Sequence, residues 1–159
     1  MTNLWMIRAG KNGKYANKFL SSSIIAMENY DLGPLAQDVS KDEFINRYIA
    51  LHPTNTKIQA RNTITQLDRF IHSIAISDNV LTYEPNQRVY YIGIVKSAAI
   101  WGPSIIPKLP CVRNVKWDRE VYRDNLDHKF ISSLGSLLSV FKVKPEVTEN
   151  IMINAKPLT

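Results

Sequence analysis

The sequence lacks most of the features that stabilise small secreted proteins or anchor proteins in membranes. One cysteine occurs among 159 residues, so no disulfide can form within the chain. No run of about 18 apolar residues is present, and the first residues lack the basic-then-apolar order of a secretory signal. The histidines, at positions 52, 72 and 128, are not spaced as metal ligands with each other or with Cys111. We therefore expect a cytoplasmic protein with no metal, no cofactor and no membrane partner.

Acidic residues are absent from two long stretches, residues 1–26 and 85–117. These stretches hold nine of the basic residues of a chain with a formal net charge of +6, namely Arg8, Lys11, Lys14, Lys18, Arg88, Lys96, Lys108, Arg113 and Lys116. Such separation favours a surface that meets a polyanion, because lysine and arginine displace counterions from phosphates. The alternative is a solvated face on a mildly basic protein.

What is present predicts one folded domain. Hydrophobic residues make up 45% of the chain, enough for a single core. Alternating apolar residues predict strands at residues 3–9, 23–27, 78–83, 88–96, 111–117 and 138–143. Helical spacing predicts helices at residues 15–20, 41–51, 54–74 and within 122–134. This order indicates an α+β fold, a small, mainly antiparallel sheet or barrel flanked by helices, over residues 1–145, and residues 146–159 are expected to be a tail or the start of a linker.

Three local patterns sharpen this assignment. Ser40 with Glu43, and Thr56 with Gln59, have the spacing of capping boxes at the start of helices. Gly93 interrupts a predicted strand. A glycine in that position predicts a β-bulge or a close approach of two backbones.

Motifs of common enzymes are missing. Gly10 and Gly13 lack the third glycine of a dinucleotide-binding fingerprint, and Lys14 is followed by Tyr15 where a phosphate-binding loop has serine or threonine. No acidic residues cluster beside a lysine on a strand, as a metal-dependent nuclease would require. Cys111 lies in an apolar strand, where a cysteine is typically a core residue. We therefore expect a binding module with no catalytic residues.

Aromatic residues are interleaved with the basic ones. The two acid-free stretches contain Trp5, Tyr15, Tyr90, Tyr91, Trp101 and Trp117. Cations bind phosphates and rings stack on bases, so the combination is typical of proteins that bind single-stranded or flipped-out bases. Trp5 and Trp117 alternate with apolar neighbours and are also explained as core residues. Trp101, in the proline-containing loop 97–110, is a candidate for direct contact.

Several segments carry a resemblance that covers nearly the whole chain. They are Leu-Trp-Met-Ile-Arg-Ala-Gly at 4–10, Gly-Lys-Tyr at 13–15, Ile-Ala-Met at 25–27 and Leu-Gly-Pro-Leu at 32–35, followed by residues 67–72, 78–81, 91–93 and 115–117. From about residue 4 to 143 the chain resembles the N-terminal domain of Mrr-like, modification-dependent (type IV) restriction proteins. That resemblance implies the PUA-like fold of the EVE and YTH readers, a twisted small barrel flanked by helices. It also implies an aromatic pocket that accepts a base flipped out of a duplex, which is a modified base in relatives.

The sequence departs from that family after the second strand. Relatives usually carry Gly-Trp there, whereas this chain has Glu28, Asn29 and Tyr30. Either Tyr30 replaces the missing tryptophan or the aromatic cage is incomplete. The amide of Asn29 can both donate and accept a hydrogen bond, as reading a base edge requires. The alternative is that Asn29 and Tyr30 only shape the turn before Asp31.

The sequence thus predicts a DNA-binding module that recognises a modified, most simply methylated, base for a restriction or phage-defence system. The predicted base pocket consists of Asn29, Tyr30, Tyr83, Trp101 and Trp5. The predicted phosphate-binding residues are Arg8, Lys11, Lys14, Arg88 and Lys96. In such systems, a nuclease or NTPase domain or subunit would act as partner. A reader of modified RNA and a protein-interaction module remain as alternatives, followed by an enzyme that acts alone.

Overall fold

The structure is a computed structural model that describes residues 3–34 and 37–158. Leu35, from one of the segments that carry the resemblance, lies outside these residues, as does Thr159 at the end of the predicted tail. No helix in residues 3–34 and 37–158 is both long and apolar enough to cross a membrane.

A mixed, mainly antiparallel sheet forms the centre of the described chain. Its strands are β1 (Leu4–Ile7), β2 (Ile24–Met27), β3 (Asn79–Glu84), β4 (Val89–Val95), β5 (Ile100–Trp101), β6 (Cys111–Tyr122), β7 (Val140–Lys142) and β8 (Lys156–Pro157). Six of them follow the order β2-β6-β4-β3-β1-β7, while β5 and β8 each pair with β6. The pair β1–β3 is parallel and the other pairs are antiparallel.

In the described residues, five α-helices flank the sheet, which confirms the α+β class. They are α1 (Ala16–Ser22), α2 (Lys41–Leu51), α3 (Lys57–Asp68), α4 (His128–Leu134) and α5 (Pro145–Asn154). A π-helical turn, Arg69–Ser73, continues α3, so the helix predicted to reach residue 74 changes its hydrogen-bonding pattern after Asp68.

Both predicted helix starts have a side-chain cap, and the complete capping box is present at α3. The Ser40 Oγ accepts a 3.1 Å hydrogen bond from the Glu43 backbone N–H. At the start of α3, Thr56 Oγ1 accepts from the Gln59 N–H at 3.1 Å, and Gln59 Oε1 accepts from the Thr56 N–H at 2.8 Å. These side chains satisfy backbone N–H groups that the first turn of a helix leaves without partners. The sequence pattern alone therefore located both helix starts.

The sheet is covered on both faces, because successive side chains of a strand point to opposite sides. In β1, Trp5 and Ile7 belong to a core cluster with α1, α2 and α3, while Leu4 and Met6 belong to a second cluster with α4 and α5. All four β1 residues are buried. The first helical layer therefore buries Trp5, while the second buries the opposite face of the strand.

The sheet is curled into a half-barrel. Ala26 of β2 and Ser139, which precedes β7, come from opposite ends of the strand order yet line the same hollow. The outer edge of β7 is occupied by side chains of the α3 segment. Gln66 Oε1 accepts from the Val140 N–H at 2.9 Å, and Arg69 Nη1 donates to the Val140 carbonyl at 2.9 Å. These bonds occupy backbone groups that would otherwise be open to another strand.

Gly93 marks a bulge, as predicted. The register between β4 and β6 shifts between Ile92 and Gly93. A Cβ atom on Gly93 would lie 2.5 Å from Cγ1 of Val115 and 2.9 Å from the carbonyl oxygen of Lys116. The absence of a side chain is what allows the two backbones to approach.

The expected C-terminal tail is wrong as a structural assignment. Residues 145–154 form α5, whose Val147 and Ile151 are buried in the second core cluster. Lys156 then pairs with Glu120, so β8 extends the sheet beside β6. Burial of an apolar helical face and the added strand make this segment part of the folded body.

Candidate functional site

Two adjoining hollows lie where β1 and β2 end. They measure about 400 Å³ and 410 Å³ and share Gly10, Lys11, Glu28 and Leu109, so they form a single opening, here called the basic groove. Its lining consists of Arg8, Gly10, Lys11, Lys14, Tyr15, residues 26–31, residues 107–110 and Ser139. The groove is therefore built from four separate parts of the chain, within residues 8–15, 26–31 and 107–110 and at Ser139, that the curled sheet brings together.

The lining of the basic groove carries more positive than negative charge. Four cationic side chains line it, Arg8, Lys11, Lys14 and Lys108, against two carboxylates, Glu28 and Asp31. The three lysines are exposed, so their ammonium groups can meet a ligand from solvent. Clustered cations of this kind attract phosphate groups.

Tyr30 stands in a strained turn at the end of β2. The φ angles of Tyr30 and Asp31 are 55° and 62°, and the Leu32 N–H bonds to the Asn29 carbonyl at 3.1 Å. Two central residues with positive φ are the pattern of a type I′ turn, which normally selects glycine or asparagine. A non-glycine residue in this region costs about 1–3 kcal/mol, a strain that is concentrated at functional sites.

The Tyr30 ring forms part of the groove wall. Its centroid lies 5.9 Å from that of Tyr48, with the two rings edge to face. Burial, followed by the charge of Glu28 and the neighbouring Tyr48, raises the pKa of Tyr30 to about 12. The phenol is therefore neutral at physiological pH and presents a hydroxyl that can donate a hydrogen bond.

The profile of the family described as Domain of unknown function (DUF8426) matches residues 5–141. The chain belongs to the DUF8426 family. The matched region contains the ends of β1 and β2 and the loop before β6, hence the described lining of the basic groove. No curated protein matches the sequence.

In this DUF8426 domain, Asn29 shapes the turn. Its Nδ2 donates to the Gly33 carbonyl at 3.3 Å, and its Oδ1 accepts from the Asp31 N–H at 3.3 Å. The side chain is buried, with 8% of the residue exposed, although the residue lines the groove. The role given to Asn29 as the alternative in the sequence analysis, shaping the turn before Asp31, is therefore observed. Its donor and acceptor already have backbone partners, which limits direct contact with a base.

Three aromatic residues of the predicted base pocket do not line the groove in the described part of this DUF8426 domain. Trp5 is buried, and its indole N–H bonds to Oδ2 of Asp78 at 3.1 Å, so its assignment to the pocket is wrong. Tyr83 contacts Tyr90 in a different cleft, with ring centroids 4.5 Å apart and ring planes inclined by 37°. Trp101 is 39% exposed and lies on β5, paired with Cys111. A single cage of all the predicted rings is not formed.

The predicted phosphate-binding residues divide in the same way. Arg8, Lys11 and Lys14 line the groove, whereas Arg88 and Lys96 are not among its described lining residues. The Arg88 guanidinium is bound by Asp124, with Nη2 and Oδ1 2.6 Å apart. That hydrogen bond raises the pKa of Arg88 and lowers the pKa of Asp124. Its charge is already matched by a carboxylate.

Arg113 and Cys111 of the second basic stretch are core residues. Arg113 is 2% exposed and donates to the carbonyls of Ser97, Phe70 and Ile74. Burial lowers its pKa. The Cys111 thiol is also buried, as predicted, and burial raises its pKa to about 12. A thiol held protonated in this way is a poor nucleophile.

Tyr15, Glu28 and Lys108 are among the groove residues that were not predicted as site residues. Tyr15 follows the glycine turn after β1, Glu28 immediately precedes Asn29, and Lys108 lies between Pro107 and Leu109. The position of Glu28 next to Asn29 in the sequence was a signal that could have identified it as a groove residue. No group of three or more histidine, cysteine, aspartate or glutamate side chains in the described ranges is close enough together to hold a metal ion.

Proposed function

We propose that this chain is a DNA-binding module that holds one modified, most simply methylated, base in the basic groove. The observation that carries the proposal is that five of the ten predicted contact residues line this one opening, namely Arg8, Lys11, Lys14, Asn29 and Tyr30. They come from two segments of the chain whose proximity depends on the curl of the sheet. We also propose that the half-barrel is of the PUA-like type, as the sequence resemblance implies.

The groove offers the three kinds of contact that a flipped base requires. Lys11, Lys14 and Lys108 would bind the phosphates that flank the base. The Tyr30 ring would contact the face of the base, a contact worth about 1–3 kcal/mol. Glu28 would accept a hydrogen bond from the exocyclic amino group of cytosine or adenine, since a carboxylate is a strong acceptor.

The pocket proposed here is smaller than a complete aromatic cage. Tyr15 and Tyr30 are the two rings among the described lining residues. With so few rings, each makes a large share of the stacking energy. Flipping a base costs a few kcal/mol, least for a mismatched or damaged pair, so loss of one ring should remove most of the selectivity.

Binding to matched duplexes tests the proposal. One duplex sequence would be prepared in three forms: unmodified, with 5-methylcytosine at a single cytosine, and with N6-methyladenine at a single adenine. The affinity of the protein for each duplex would be measured by fluorescence anisotropy. We expect at least tenfold tighter binding of one modified duplex. Tyr30→Ala should abolish that preference, whereas Tyr122→Ala, at an exposed ring outside the groove lining, should retain it. Equal affinity of the intact protein for all three duplexes would contradict the proposal.

Two alternatives have distinct outcomes. Tighter binding of an RNA of the same sequence, with the same loss on Tyr30→Ala, would make the groove an RNA reader. Cleavage of modified DNA by the purified chain with Mg²⁺ would identify an enzyme. We propose that the chain binds DNA in the cytoplasm without cleaving it. Cleavage would be carried out by a nuclease of the same restriction system, which is either the partner itself or is recruited by an NTPase partner.

A further inference from the structure

A second cleft lies on the α4 side of the sheet, outside the basic groove. It encloses about 510 Å³, within the range of about 300–1,000 Å³ that is typical of small-molecule sites. Met6 and Leu134, which line it, belong to the second core cluster, and Tyr83 packs against that cluster. The cleft is therefore a cavity on the other face of the sheet, here called the tyrosine cleft, and Arg8 is the one described residue that lines both it and the basic groove.

The tyrosine cleft is positively charged without a compensating acid. Arg8 and Arg123 line it, and none of its described lining residues is an aspartate or glutamate. Neither arginine forms an ion pair within the described part of the chain. Asp124, the neighbour of Arg123, is bound to Arg88, and the Arg123 guanidinium also bonds to the Tyr90 hydroxyl. Arg8 donates one hydrogen bond, to the Leu137 carbonyl at 3.1 Å, so most of its five N–H donors remain available.

The rest of the lining is mainly apolar. The tilted rings of Tyr83 and Tyr90 contact each other, with centroids 4.5 Å apart, and burial raises the pKa of Tyr90 to about 12, so this phenol is neutral. Leu137 and Leu138, at the mouth, are 82% and 44% exposed. Exposed leucines beside a cavity leave apolar surface in water, which a ligand with an apolar body would cover.

We propose that the tyrosine cleft binds a small organic monoanion with an apolar body, such as a medium-chain carboxylate. The carboxylate would pair with Arg8 and Arg123, since an arginine guanidinium matches the geometry of a carboxylate. The chain would lie against Leu134, Leu138 and the tyrosine rings. An uncharged ligand would leave the two arginines unpaired, and a small inorganic anion would leave the apolar wall uncovered.

Isothermal titration calorimetry with three probes separates these contributions. Decanoate carries both the charge and the chain, decanol carries only the chain, and acetate carries only the charge. We expect decanoate to bind at least tenfold more tightly than either of the others. Equal binding of decanol and decanoate would overturn the proposal. A nucleoside monophosphate is tested as a further ligand, and tighter binding of it than of decanoate would also overturn the proposal, because the cleft would then be a nucleotide site.

Variants test the part played by charge. Arg123→Gln should weaken decanoate binding at least tenfold and leave decanol binding unchanged. Lys116→Gln makes the same change of charge at an exposed position outside the described lining and should have no effect. Leu137→Asp would place a carboxylate at the mouth and should repel decanoate, whereas Leu137→Asn should not. Because Leu137 is exposed, this pair remains informative even if Arg123→Gln fails to fold; unchanged decanoate affinity in Leu137→Asp would refute the assignment.

Discussion

The indole Nε1 of Trp5 donates a hydrogen bond of 3.1 Å to Oδ2 of Asp78. The same carboxylate oxygen accepts a 2.9 Å hydrogen bond from the backbone N–H of Ala75. Trp5 lies on β1 and Asp78 immediately precedes β3, so a side-chain bond supplements the parallel pairing of these two strands. Trp5, which the sequence analysis assigned to the base pocket, therefore stabilises the sheet from a position in the core.

Trp5→Phe should reduce stability without changing ligand binding. The substitution keeps an aromatic ring but removes the donor; Asp78 Oδ2 keeps its bond from Ala75, so the cost is that of one hydrogen bond to a charged group, about 1.5–3 kcal/mol. We expect that loss in the free energy of unfolding, measured by urea denaturation. The affinity of the folded variant for nucleic acid should equal that of the unchanged protein. If Trp5→Phe bound nucleic acid more weakly and kept its stability, Trp5 would instead be a residue of the binding site.

Gly93→Ala should destabilise the sheet at its bulge. The new methyl group would meet Cγ1 of Val115 at 2.5 Å and Cε3 of Trp117 at 2.9 Å. Overpacking of this kind typically costs about 1–3 kcal/mol, which thermal denaturation would detect as a lower midpoint. Gly135→Ala is the matched control, because its nearest neighbour would be 3.5 Å away. A midpoint as low in the control as in Gly93→Ala would contradict the steric explanation.

Thr56→Ala should weaken the start of α3. The variant loses the Oγ1 acceptor of the Gln59 N–H and with it half of the capping box. We expect a loss of about 1 kcal/mol in the free energy of unfolding, the usual value for an N-cap threonine. Thr54→Ala changes an exposed threonine two residues earlier and should be nearly neutral. Chemical denaturation of the two variants side by side provides the measurement.

Tyr30→Phe should make the protein less sensitive to alkali. The pKa of Tyr30 is raised from 10.0 to about 12, so the folded state favours the neutral phenol. Its contribution to stability is complete below pH 10 and is lost as the pH rises towards 12. Phenylalanine does not ionise, so the variant should lose less stability across that window.

Ultraviolet absorbance of tyrosinate provides a second measurement of the same change. Tyr30 and Tyr90 both have a pKa raised to about 12. Tyr30→Phe should therefore reduce the amplitude of the late titration while Tyr90 still contributes. An unchanged late amplitude would show that the Tyr30 phenol is not buried in solution.

Lys14→Gln should reduce the salt dependence of DNA binding. Each phosphate contact contributes about 0.9 to the slope of log affinity against log salt concentration, so the slope should fall by about 1. Lys116→Gln removes the same charge outside the described groove lining and should leave the slope unchanged. An equal fall of the slope in both variants would indicate that DNA meets a diffuse basic surface. That is the alternative derived from composition, a solvated face on a mildly basic protein.

Local patterns in the sequence predicted local structure well. The caps of α2 and α3 and the bulge at Gly93 all depend on residues close in sequence or on the lack of a side chain. The helix α5 was missed, although Pro145 at its first turn and the spacing of Val147 and Ile151 are helical signals. Taking this segment for a tail overlooked an apolar face that needs a partner.

The candidate site was predicted only in part. Lysines and tyrosines close to glycine turns pointed to the groove, and Arg8, Lys11, Lys14 and Tyr30 do meet there. Tyr83 was assigned to the same site but lies in the tyrosine cleft, and Arg88 is neutralised by Asp124, 36 positions away in the chain. Partners that distant in sequence leave no signal in local spacing.

The sequence by itself determined the helix starts, the bulge and the segregation of charge, because each is encoded by the type of a residue or by residue types along one continuous segment. The tertiary structure decided which rings face solvent. Trp5 lies within an apolar segment and Tyr30 follows one, but helices cover both faces of β1, whereas the strained turn after β2 leaves Tyr30 at an opening. Alternation along a strand assigns residues to two faces, and only the packing of distant elements determines whether either face is exposed.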